Sequence, residues 1–416
     1  MNLKGKKITV VGLGKSGWAA VRFLKAREAD VRISEQKSRD EIPEDFSSWI
    51  KQEKIVCEFG GHTSPLIRGS DFLLISPGVR FDSEPVRWAE EAGVPVIGEI
   101  ELAARFCRGP IVAVTGSNGK TTVSTLIHQV LVNAGKKAVL CGNIGTPFVE
   151  KVDGLSADTV VVLEVSSFQL ETIREFHPFV AVFLNISENH LDRHADLNEY
   201  FEIKKRIFMN QTGDDFAVLN AADPLVKTID GIPSAVRWFC RPEENGTNPN
   251  FSAVKTVAGV FGIDESAVEK TFADFRGVEH RLEKVRDFRG VEFINDSKST
   301  TAEAARWALA SMTKPVIMLC GGRDKNIDFS VLRPLVARKV KQMIVFGEAR
   351  DKIRRTFQED IGIRECRNLE EAVYYARALA KPSDCVLLSP MCASFDAFKN
   401  FEERGLTFKQ LVTKLS

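Results

Sequence analysis

Short apolar runs alternate with segments of helical periodicity along almost the whole chain. Each run has the length of a buried strand, and most runs are followed by a turn residue and then by a helical segment. Because neighbouring parallel strands need a crossover helix between them, this order predicts the α/β class, with doubly wound parallel sheets covered by helices on both faces. We predict strands at residues 7–11, 31–34, 72–75, 111–115, 138–141, 159–164, 181–185, 217–220, 291–295, 316–321, 342–346 and 385–389.

The length of the chain and its clusters of Gly and Pro predict how it is divided into domains. The chain has 416 residues, which at roughly 150 residues per domain predicts two or three domains. The helix-like segment 99–106 leads into Arg108-Gly109-Pro110, and Phe275-Arg276-Gly277 precedes a polar stretch, 278–289, that is typical of a linker or a hairpin. We therefore predict three domains, at residues 1–98, 99–277 and 278–416.

Composition excludes several classes of protein. Apolar residues make up 44% and charged residues 27%, an ordinary globular balance that is far from that of a disordered chain. The 57 Lys and Arg residues are balanced by 56 Asp and Glu residues, which gives no reason to expect nucleic acid or an anionic membrane as a partner. The longest apolar runs are far shorter than the roughly 20 residues of a membrane-spanning helix, and the N-terminus has no apolar signal core. We predict no nucleic-acid partner, no membrane partner and a cytoplasmic location.

A first glycine-rich loop, from Gly12 to Gly17, closes a strand and opens a helix. Its spacing, with Glu35 at the end of the next strand, matches a dinucleotide-binding fingerprint, in which glycines let the backbone approach a pyrophosphate and the acidic residue binds a ribose hydroxyl. This motif favours an NAD-dependent oxidoreductase. A sharp turn in a Rossmann-like sheet that binds no cofactor explains the same residues equally well, so both interpretations stay open at this point.

A second glycine-rich loop follows the strand at 111–115 and is more specific. It places Gly-Lys-Thr at the start of a helix, where backbone N–H groups and the helix dipole face an anion, a lysine reaches the terminal phosphates and a hydroxyl binds magnesium. The loop is a shortened form of the P-loop, because Val114 stands where the longer motif has its first glycine. We predict an ATP site formed by Gly116, Ser117, Asn118, Gly119, Lys120, Thr121 and Thr122.

Polar residues also stand at the ends of the following predicted strands, where parallel sheets place their ligands. Glu164 ends an apolar run, and a carboxylate in that position needs a cation or donors, which magnesium would supply. His190 lies in a polar stretch after the strand at 181–185 and is a candidate functional histidine. Lys204, in a run of charged residues, has by itself the pattern of an ordinary charged helix face.

Together these blocks resemble the Mur ligase family of ATP-dependent amide-bond-forming enzymes. The resemblance rests on residues 115–122, 142–145, 164–170 and 185–194. Four further blocks are similar to the family members that add D-glutamate, and they are residues 76–79, 295–300, 321–325 and 389–405. The matches are spread over nearly the whole chain.

The resemblance implies an N-terminal Rossmann-like domain for a uridine nucleotide sugar, a central P-loop ATPase-type domain and a C-terminal Rossmann-like domain for the amino acid. It implies a monomeric ATP-dependent ligase of peptidoglycan precursor synthesis that adds D-glutamate to UDP-MurNAc-L-alanine through an acyl phosphate, with two Mg²⁺ ions. The alternatives are a sister ligase for another amino acid or for folate, an NAD-dependent oxidoreductase, and a nucleotide-binding sensor without turnover.

The resemblance also implies roles for individual residues. The catalytic residues would be Lys120, Glu164, His190 and Lys204, and the metal ligands Thr121, Glu164, His190 and Lys204. Further ATP contacts would be Asn250, Arg281, Asp296 and Lys298. The UDP-substrate site would be formed by Ser16, Gln36, Lys37, Ser76, Gly78, Asn143, Ser166 and His190. The D-glutamate site would be formed by Thr300, Lys325, Ser394 and Phe401.

Two parts of the resemblance have consequences of their own. Lys204 matches a lysine that is carbamylated by CO2 in this family, which turns a cation into an anion able to stabilise a magnesium site, and the neighbouring Lys205 is the control for that assignment. Between Trp238 and Phe251 the chain is shorter than the family pattern. Only residues 243–250 stand in place of the small strand-rich segment that normally precedes the adenine-side asparagine.

Overall fold

The computed structural model describes residues 1–187, 193–241, 248–275, 277–324 and 327–416. The chain forms two compact units, Met1–Asp274 and Phe275–Ser416. The first unit holds two sheets, and the second unit holds one. Within the described ranges, no helix has both the length and the apolar character that crossing a bilayer requires.

The first sheet consists of five parallel strands in the order β3-β2-β1-β4-β5. Its strands are β1 Lys7–Val11, β2 Asp30–Glu35, β3 Val56–Phe59, β4 Phe72–Ile75 and β5 Val96–Gly98. The helices of this part are α1 Lys15–Lys25, α2 Glu44–Gln52, α3 Ser64–Arg68, α4 Glu84–Glu91 and α5 Glu99–Ala104. Helix α1 begins directly after the first glycine-rich loop, so the loop lies at the carboxyl end of a central strand, where such sheets bind ligands.

The second sheet consists of six parallel strands in the order β11-β10-β9-β6-β8-β7. Its strands are β6 Ile111–Thr115, β7 Ala138–Gly142, β8 Val160–Glu164, β9 Val180–Phe183, β10 Phe216–Asn220 and β11 Ala235–Phe239. The helices are α6 Lys120–Asn133, α7 Ser167–Leu170, α8 Leu197–Lys205, α9 Pro249–Val260 and α10 Glu265–Asp274. Every residue of β6, β8 and β9 is buried, because helices cover both faces of the sheet.

The second unit contains six strands in the order β12-β13-β17-β14-β15-β16. Its strands are β12 Glu283–Phe288, β13 Val291–Asn295, β14 Val316–Gly321, β15 Val340–Phe346, β16 Ile363–Glu365 and β17 Cys385–Leu388. The helices are α11 Ala302–Ser311, α12 Arg333–Lys339, α13 Arg350–Phe357, α14 Leu369–Leu379 and α15 Phe401–Thr413. Strands β12 and β13 pair antiparallel around Arg289 and Gly290, both at positive φ, so the polar stretch before residue 290 is a hairpin arm and not a linker.

Helix α5 joins the first two sheets through a buried carboxylate. Glu101 accepts hydrogen bonds from the backbone N–H groups of Arg174, Glu175 and Phe176 at 2.8 to 3.1 Å. Arg105, one helical turn later, donates to the same carboxylate at 2.9 Å. Because the side chain of Glu101 is fully buried, these bonds fix the segment that follows α7 against α5.

The predicted α/β class is confirmed, and the predicted strands are all present to within a few residues at their ends. The strands that were not predicted are β3, β5, β11, β12 and β16. The predicted domain boundary at 277/278 lies close to the junction of the two units. The boundary at 98/99 falls between the two sheets of the first unit.

Candidate active site

The second glycine-rich loop connects β6 to α6 and forms a pocket of backbone groups. Lys120, the first residue of α6, donates from Nζ to the carbonyl oxygens of Gly116 and Ser117 at 2.8 and 2.9 Å. Gly116 and Gly119 have φ values of +146° and +85°, which a residue with a side chain rarely adopts. The loop amides and the N-terminus of α6 can therefore hold an anion such as a phosphate.

Asn250 lies against this loop. A Cβ atom at Gly119 would come within 2.6 Å of Asn250 Oδ1, so the glycine is required for this close approach as well as for its φ value. Asn250 stands in the first turn of α9, where its backbone N–H donates to the side chain of Asn248 at 2.9 Å. The structure thus brings together two groups of residues that the sequence predicts for ATP, although a long stretch of chain separates them.

Glu164, the last residue of β8, is only 2% exposed. Its Oε1 accepts a hydrogen bond from Asn143 Nδ2 at 2.8 Å, and its Oε2 is buried with no hydrogen-bond partner among the described residues. Leaving a carboxylate oxygen buried and unpaired costs free energy. A cation next to Oε2 would remove that cost.

The surroundings of Glu164 are compatible with magnesium. The described residues contain no group of three or more His, Cys, Asp or Glu side chains arranged to hold a metal ion. Magnesium is commonly bound by one or two carboxylates together with substrate phosphates and water. The buried Thr121 at the start of α6 is the predicted hydroxyl ligand.

Lys204 lies in α8 and is 1% exposed. Its Nζ is 3.4 Å from Thr115 Oγ1 and 4.6 Å from the centre of the Tyr200 ring. Burial, and then the positive charge of Lys120, hold the pKa of Lys204 well below its usual value, while Glu164 acts in the opposite direction. A buried amine whose charged form is disfavoured therefore lies next to the end of β6, which does not fit an ordinary charged helix face.

Lys205 has a different environment. Its half-exposed side chain pairs with Glu202 at 2.8 Å, as expected for an ordinary helix surface. Because Lys204 and Lys205 are adjacent in the sequence, the pattern of charges alone does not tell them apart.

His190 lies outside the described residues, which resume at Arg193. Arg193 donates to the carbonyl oxygens of Val79 at 2.6 Å and Gly78 at 3.4 Å, and its guanidinium lies 4.4 Å from the centre of the Phe168 ring. It also pairs with Glu171 at 3.3 Å. Arg193 thus links the loop after β4 to the second sheet. The sequence analysis gave this residue no role.

The first glycine-rich loop is occupied by the chain's own carboxylate. Glu35 accepts hydrogen bonds from the backbone N–H groups of Leu13 and Lys37. A ribose hydroxyl would have to compete with these two donors, which weakens the dinucleotide interpretation. Ser76 donates from Oγ to the carbonyl oxygen of Gly12 at 2.6 Å and thereby ties the loop to the end of β4.

The other residues predicted for a nucleotide sugar lie at the carboxyl ends of neighbouring strands. Ser16 is half-buried in the first turn of α1, and Gln36 and Lys37 are exposed just after β2. In the second sheet, Ser166 caps α7 and donates from Oγ to the Gln169 side chain at 3.0 Å, close in sequence to Glu164. The backbone N–H of Asn143 also donates to the carbonyl oxygen of Glu164, at 2.9 Å.

In the second unit, Asp296 follows β13 and is buried. It accepts hydrogen bonds from Ser389 Oγ at 3.1 Å and from the backbone N–H of Leu282 at 3.3 Å. Burial raises the pKa of Asp296 to about 7, against the opposing effect of the Arg281 guanidinium. The Nζ of Lys298 lies 5.8 Å from the centre of the Phe401 ring. The structure therefore places these predicted ligand residues in one part of this unit.

Thr300 and Ser394, two of the residues predicted for D-glutamate, follow β13 and β17 on loops that Arg404 joins by hydrogen bonds, and Phe401 is the first residue of α15. Thr300 is half-buried after β13, and Ser394 is buried after β17; Lys325 lies outside the described residues. Arg404, in α15, is completely buried. It donates to Ser297 Oγ at 3.0 Å, to the Ser297 carbonyl at 2.8 Å and to the Cys392 carbonyl at 3.1 Å. The sequence alone indicates no role for Arg404, because two of its three hydrogen bonds are made to Ser297, which is far away in the sequence.

The raised pKa of Asp296 predicts a pH-dependent stability. An unperturbed Asp has a pKa of about 3.9, so between pH 4 and pH 7 the folded state keeps a proton that the unfolded chain loses. The contribution is full below pH 4 and is lost as the pH rises through 7. We expect the stability of Asp296→Asn relative to wild type to increase by up to about 4 kcal/mol between pH 4 and pH 8.

Hydrogen exchange of the β13 and β17 amides, measured at both pH values, checks this prediction. Asp351→Asn, at an exposed position of α13, is the matched control and should show no such change. A difference between Asp296→Asn and wild type that does not vary with pH would contradict the prediction.

Three consecutive parts of the chain match models of known protein families. Residues 6–98 match the N-terminal domain of MurD-like Mur ligases, residues 114–244 match the Mur ligase middle domain, and residues 280–392 match the Mur ligase glutamate ligase domain. The predicted three-domain organisation is thereby confirmed, while the residue boundaries given above stay predictions.

Curated relatives are similar to the chain over its full length. The UDP-N-acetylmuramoylalanine--D-glutamate ligase of Acidobacterium capsulatum is 40% identical over 448 aligned positions, which cover 99% of this chain and 97% of that protein. The enzyme of the same name from Koribacter versatilis is 39% identical, with 100% and 99% covered. Since 448 aligned positions exceed the 416 residues of this chain, the Acidobacterium protein contains residues that this chain lacks.

Solved structures show the same fold at low identity. The MurF ligase of Thermotoga maritima in complex with ADP has a TM-score of 0.61 at 15% identity, and the alignment covers 99% of this chain and 96% of that one. The pseudomurein peptide ligase type C of Methanothermus fervidus has a TM-score of 0.59 at 19% identity, with 99% and 100% covered. At such identities the likeness supports the fold alone.

Proposed function

The chain belongs to the Mur ligase family, and from that premise we propose that it is the ATP-dependent ligase that joins D-glutamate to the L-alanyl carboxylate of UDP-N-acetylmuramoyl-L-alanine. The names of relatives at 39 and 40% identity over the whole chain support this assignment. The reaction belongs to the synthesis of peptidoglycan precursors. We propose that the protein acts as a monomer in the cytoplasm, where ATP and nucleotide-activated sugars are available.

One observation carries the chemistry of this proposal. Three features lie at the carboxyl ends of β6 and β8, which are paired in the second sheet: the phosphate loop (residues 116–122), the unpaired Oε2 of Glu164 and the buried amine of Lys204. A nucleotide-binding sensor needs the phosphate loop alone. A buried carboxylate and a buried amine beside that loop are costly features, and they favour a site that builds up and moves charge.

The proposed reaction has two steps. An oxygen of the L-alanyl carboxylate attacks the γ-phosphorus of ATP, and the bond between that phosphorus and the bridging oxygen breaks. ADP departs, and an acyl phosphate is formed. The amine of D-glutamate then attacks the acyl carbon, and the tetrahedral intermediate loses phosphate and a proton to give the amide. Because the attacking carboxylate and the phosphates are all anions, the protein contributes mainly positioning and positive charge.

Lys120 supplies the mobile positive charge. Its ammonium group donates to two neutral carbonyl oxygens of its own loop, and phosphate oxygens are stronger acceptors for an ammonium donor. We therefore expect Lys120 to leave Gly116 and Ser117 for the terminal phosphates of ATP. The backbone N–H groups at the start of α6 stay in place and hold the same phosphates.

We propose that Glu164, Thr121 and His190 hold magnesium and that Lys204 supports the site, with two ions in all. The unpaired Oε2 of Glu164 fits such a cation. The bound metal would neutralise charge on the reacting phosphoryl and carboxylate oxygens. Asn143 orients Glu164 by its hydrogen bond to Oε1, which leaves Oε2 for the ion.

We propose further that Lys204 carries a carbamate. The lone pair of its neutral amine can attack the carbon of CO2, one N–H proton then leaves to solvent, and a carbamate anion remains. The low pKa of Lys204 keeps the lone pair available. The positive charge of Lys120, which lowers that pKa, would stabilise the anionic product.

Substitution of Lys204 tests this modification. We expect Lys204→Ala to lower phosphate release about a hundredfold or more, because an anion near the phosphoryl group is lost, and acetate or formate to restore part of the rate. Lys205→Ala is the matched control and should stay within about twofold of wild type. A Lys204→Ala rate that bicarbonate and short carboxylates do not change, together with a wild-type mass without a labile addition, would count against the carbamate.

The remaining site residues are proposed by position. The UDP-substrate would contact Ser16, Gln36, Lys37, Ser76, Gly78, Asn143, Ser166 and His190. ATP would also contact Asn250, Arg281, Asp296 and Lys298. D-glutamate carries two carboxylates and so needs donors and an apolar wall, for which the proposed residues are Thr300, Lys325, Ser394 and Phe401.

The function is tested by phosphate release with ATP, magnesium and UDP-N-acetylmuramoyl-L-alanine, comparing D-glutamate with L-glutamate, meso-diaminopimelate and L-lysine. We expect release that depends on D-glutamate. Release with another amino acid would keep the ligase mechanism and reject the proposed amino-acid pocket. No release with any of the four would reject the ligase assignment.

A further inference from the structure

Asn185, two residues beyond the end of β9, holds the phosphate loop from the side. Its Nδ2 donates to the carbonyl oxygen of Asn118 at 3.1 Å, and its Oδ1 accepts from the backbone N–H of Asn118 at 2.8 Å. Its own carbonyl oxygen accepts from the backbone N–H of Ser117 at 2.9 Å. One carboxamide thus fixes both backbone groups of a loop residue and constrains the orientation of the peptide planes beside the phosphate pocket.

Ser187 extends the contact between the two segments. Its backbone N–H donates to Ser117 Oγ at 2.9 Å, and Ser117 Oγ lies 3.1 Å from the Ser187 carbonyl oxygen, to which it donates. The side chain of Asn118 reaches Ser187 Oγ at 3.4 Å. Residues 117 and 118 are therefore joined to residues 185 and 187 by hydrogen bonds from backbone and side chains alike.

We propose that Asn185 is a positioning residue for ATP: it holds the phosphate loop in its binding conformation and joins it to the chain segment that leads to the metal site. The inference rests on the proposed function, because ATP is taken as the ligand of the loop. Asn185 does not touch the reacting atoms in this account. It acts through Ser117 and Asn118, whose backbone N–H groups donate to Asn185, and so fixes the course of the loop that leads into Gly119 and Lys120.

The chemistry of the side chain explains why an asparagine serves here. The loop presents one donor and one acceptor, and a carboxamide offers the complementary pair on one rigid group. An aspartate of the same shape would oppose a carboxylate oxygen to the Asn118 carbonyl and would add a negative charge beside bound phosphates. Alanine would leave both backbone groups of Asn118 without these partners.

The experiment measures ADP and UDP-N-acetylmuramoyl-L-alanine binding to the full chain by calorimetry, for wild type, Asn185→Ala and Asn185→Asp. We expect the ADP dissociation constant to rise about tenfold in Asn185→Ala and further in Asn185→Asp, with the affinity for the nucleotide sugar unchanged. In kinetics, the KM for ATP should rise while the KM for the nucleotide sugar stays constant.

Asn220 provides a matched control. It is a buried asparagine, 7% exposed, at the end of the neighbouring strand β10. Its Nδ2 donates to the Leu184 carbonyl at 2.7 Å and its Oδ1 accepts from the backbone N–H of Ala222 at 2.8 Å, so Asn220→Ala removes a similar pair of bonds, neither of which is made to a residue of the phosphate loop. We expect it to lower the melting temperature and to leave ADP affinity within about twofold of wild type.

The outcomes separate this inference from the function on which it rests. Equal ADP affinity in wild type and Asn185→Ala, or an equal loss in Asn220→Ala, would overturn the role of Asn185 and leave the ligase assignment intact. A wild-type chain that binds no ADP would overturn both. If Asn185→Ala does not fold, Asn185→Asp and Ser117→Ala provide the test. Ser117→Ala removes the hydroxyl that bonds Ser187 and Tyr200 and keeps the backbone bond to Asn185, so it should weaken ADP binding to a smaller extent.

Discussion

Lys120→Met is expected to lower D-glutamate-dependent phosphate release by about a thousandfold or more, because removing one preorganised charged donor from a phosphoryl-transfer site costs rate on that scale. The substitution keeps the length and apolar stem of the side chain and removes only its charge. The affinity for UDP-N-acetylmuramoyl-L-alanine should change far less, since Lys120 donates to two carbonyl oxygens of the phosphate loop. Steady-state phosphate release and calorimetric binding measure the two quantities.

Lys137→Met is the control for that prediction. Lys137 is an exposed lysine just before β7 that pairs with Asp158, so its loss should leave the rate within about twofold of wild type. A Lys120→Met enzyme that keeps a tenth or more of the wild-type rate would show that the charge of Lys120 does not drive the phosphoryl step.

Arg404→Leu is expected to destabilise the second unit by about 3 to 5 kcal/mol, because it leaves two buried carbonyl oxygens and a serine hydroxyl without their charged donor. Burial lowers the pKa of Arg404 to about 10, so the guanidinium is charged at neutral pH and its hydrogen bonds are charge-assisted. Loss of Arg404 should loosen the loops that carry Ser297 and Cys392. Both loops border residues proposed for D-glutamate.

Hydrogen exchange measured by mass spectrometry on the full chain tests this loss. Protection should fall in peptides from β13, β17 and α15, while peptides from β6 and β9 in the first unit serve as the internal reference. Arg367→Leu, which removes an exposed arginine paired with Glu371, should change protection by no more than about 0.5 kcal/mol. Unchanged protection around β17 in Arg404→Leu would refute the prediction.

Apolar patterning predicts every inner strand and, of the six edge strands, only β7. The strands that it misses, β3, β5, β11, β12 and β16, all lie at the edge of a sheet. Strands β5 and β16 have three residues each, too few to show a period. Strand β12 carries Glu, Lys, Arg and Asp on an edge that faces water along part of its length, as edge strands commonly do. Inner strands are buried on both faces and therefore leave a continuous apolar signal.

The candidate site shows the same division between local and long-range information. The sequence predicts the phosphate loop, because the function of the loop depends on residue types at fixed short spacing. The sequence does not indicate the roles of Asn185, Arg193 and Arg404, because their hydrogen bonds are made to backbone groups of distant segments, and any residue type can supply a backbone carbonyl or N–H. Burial, which lowers the pKa of Lys204, is not apparent from the charged run in which it lies.

The first glycine-rich loop shows why a motif of glycines alone is weak. Gly12 and Gly17 approach so closely that a Cβ at Gly17 would lie 2.0 Å from the Gly12 carbonyl oxygen, so the glycines are needed for the turn itself. Glu35, which the dinucleotide interpretation would assign to a ribose, bonds the loop backbone instead. The spacing therefore reports the geometry of the turn and leaves the ligand undetermined.

The carboxylate of Glu101 has a consequence for dividing this protein into fragments. A fragment that ends at residue 98 would contain the first sheet without α5. A fragment that begins after α5 would leave the N–H groups of Arg174, Glu175 and Phe176 without their acceptor. Recombining the first sheet with the second sheet of a distant relative would therefore require exchanging α5 and the 174–176 turn as a matched set. The segment of Met1–Asp274 that must be exchanged intact is therefore larger than either sheet.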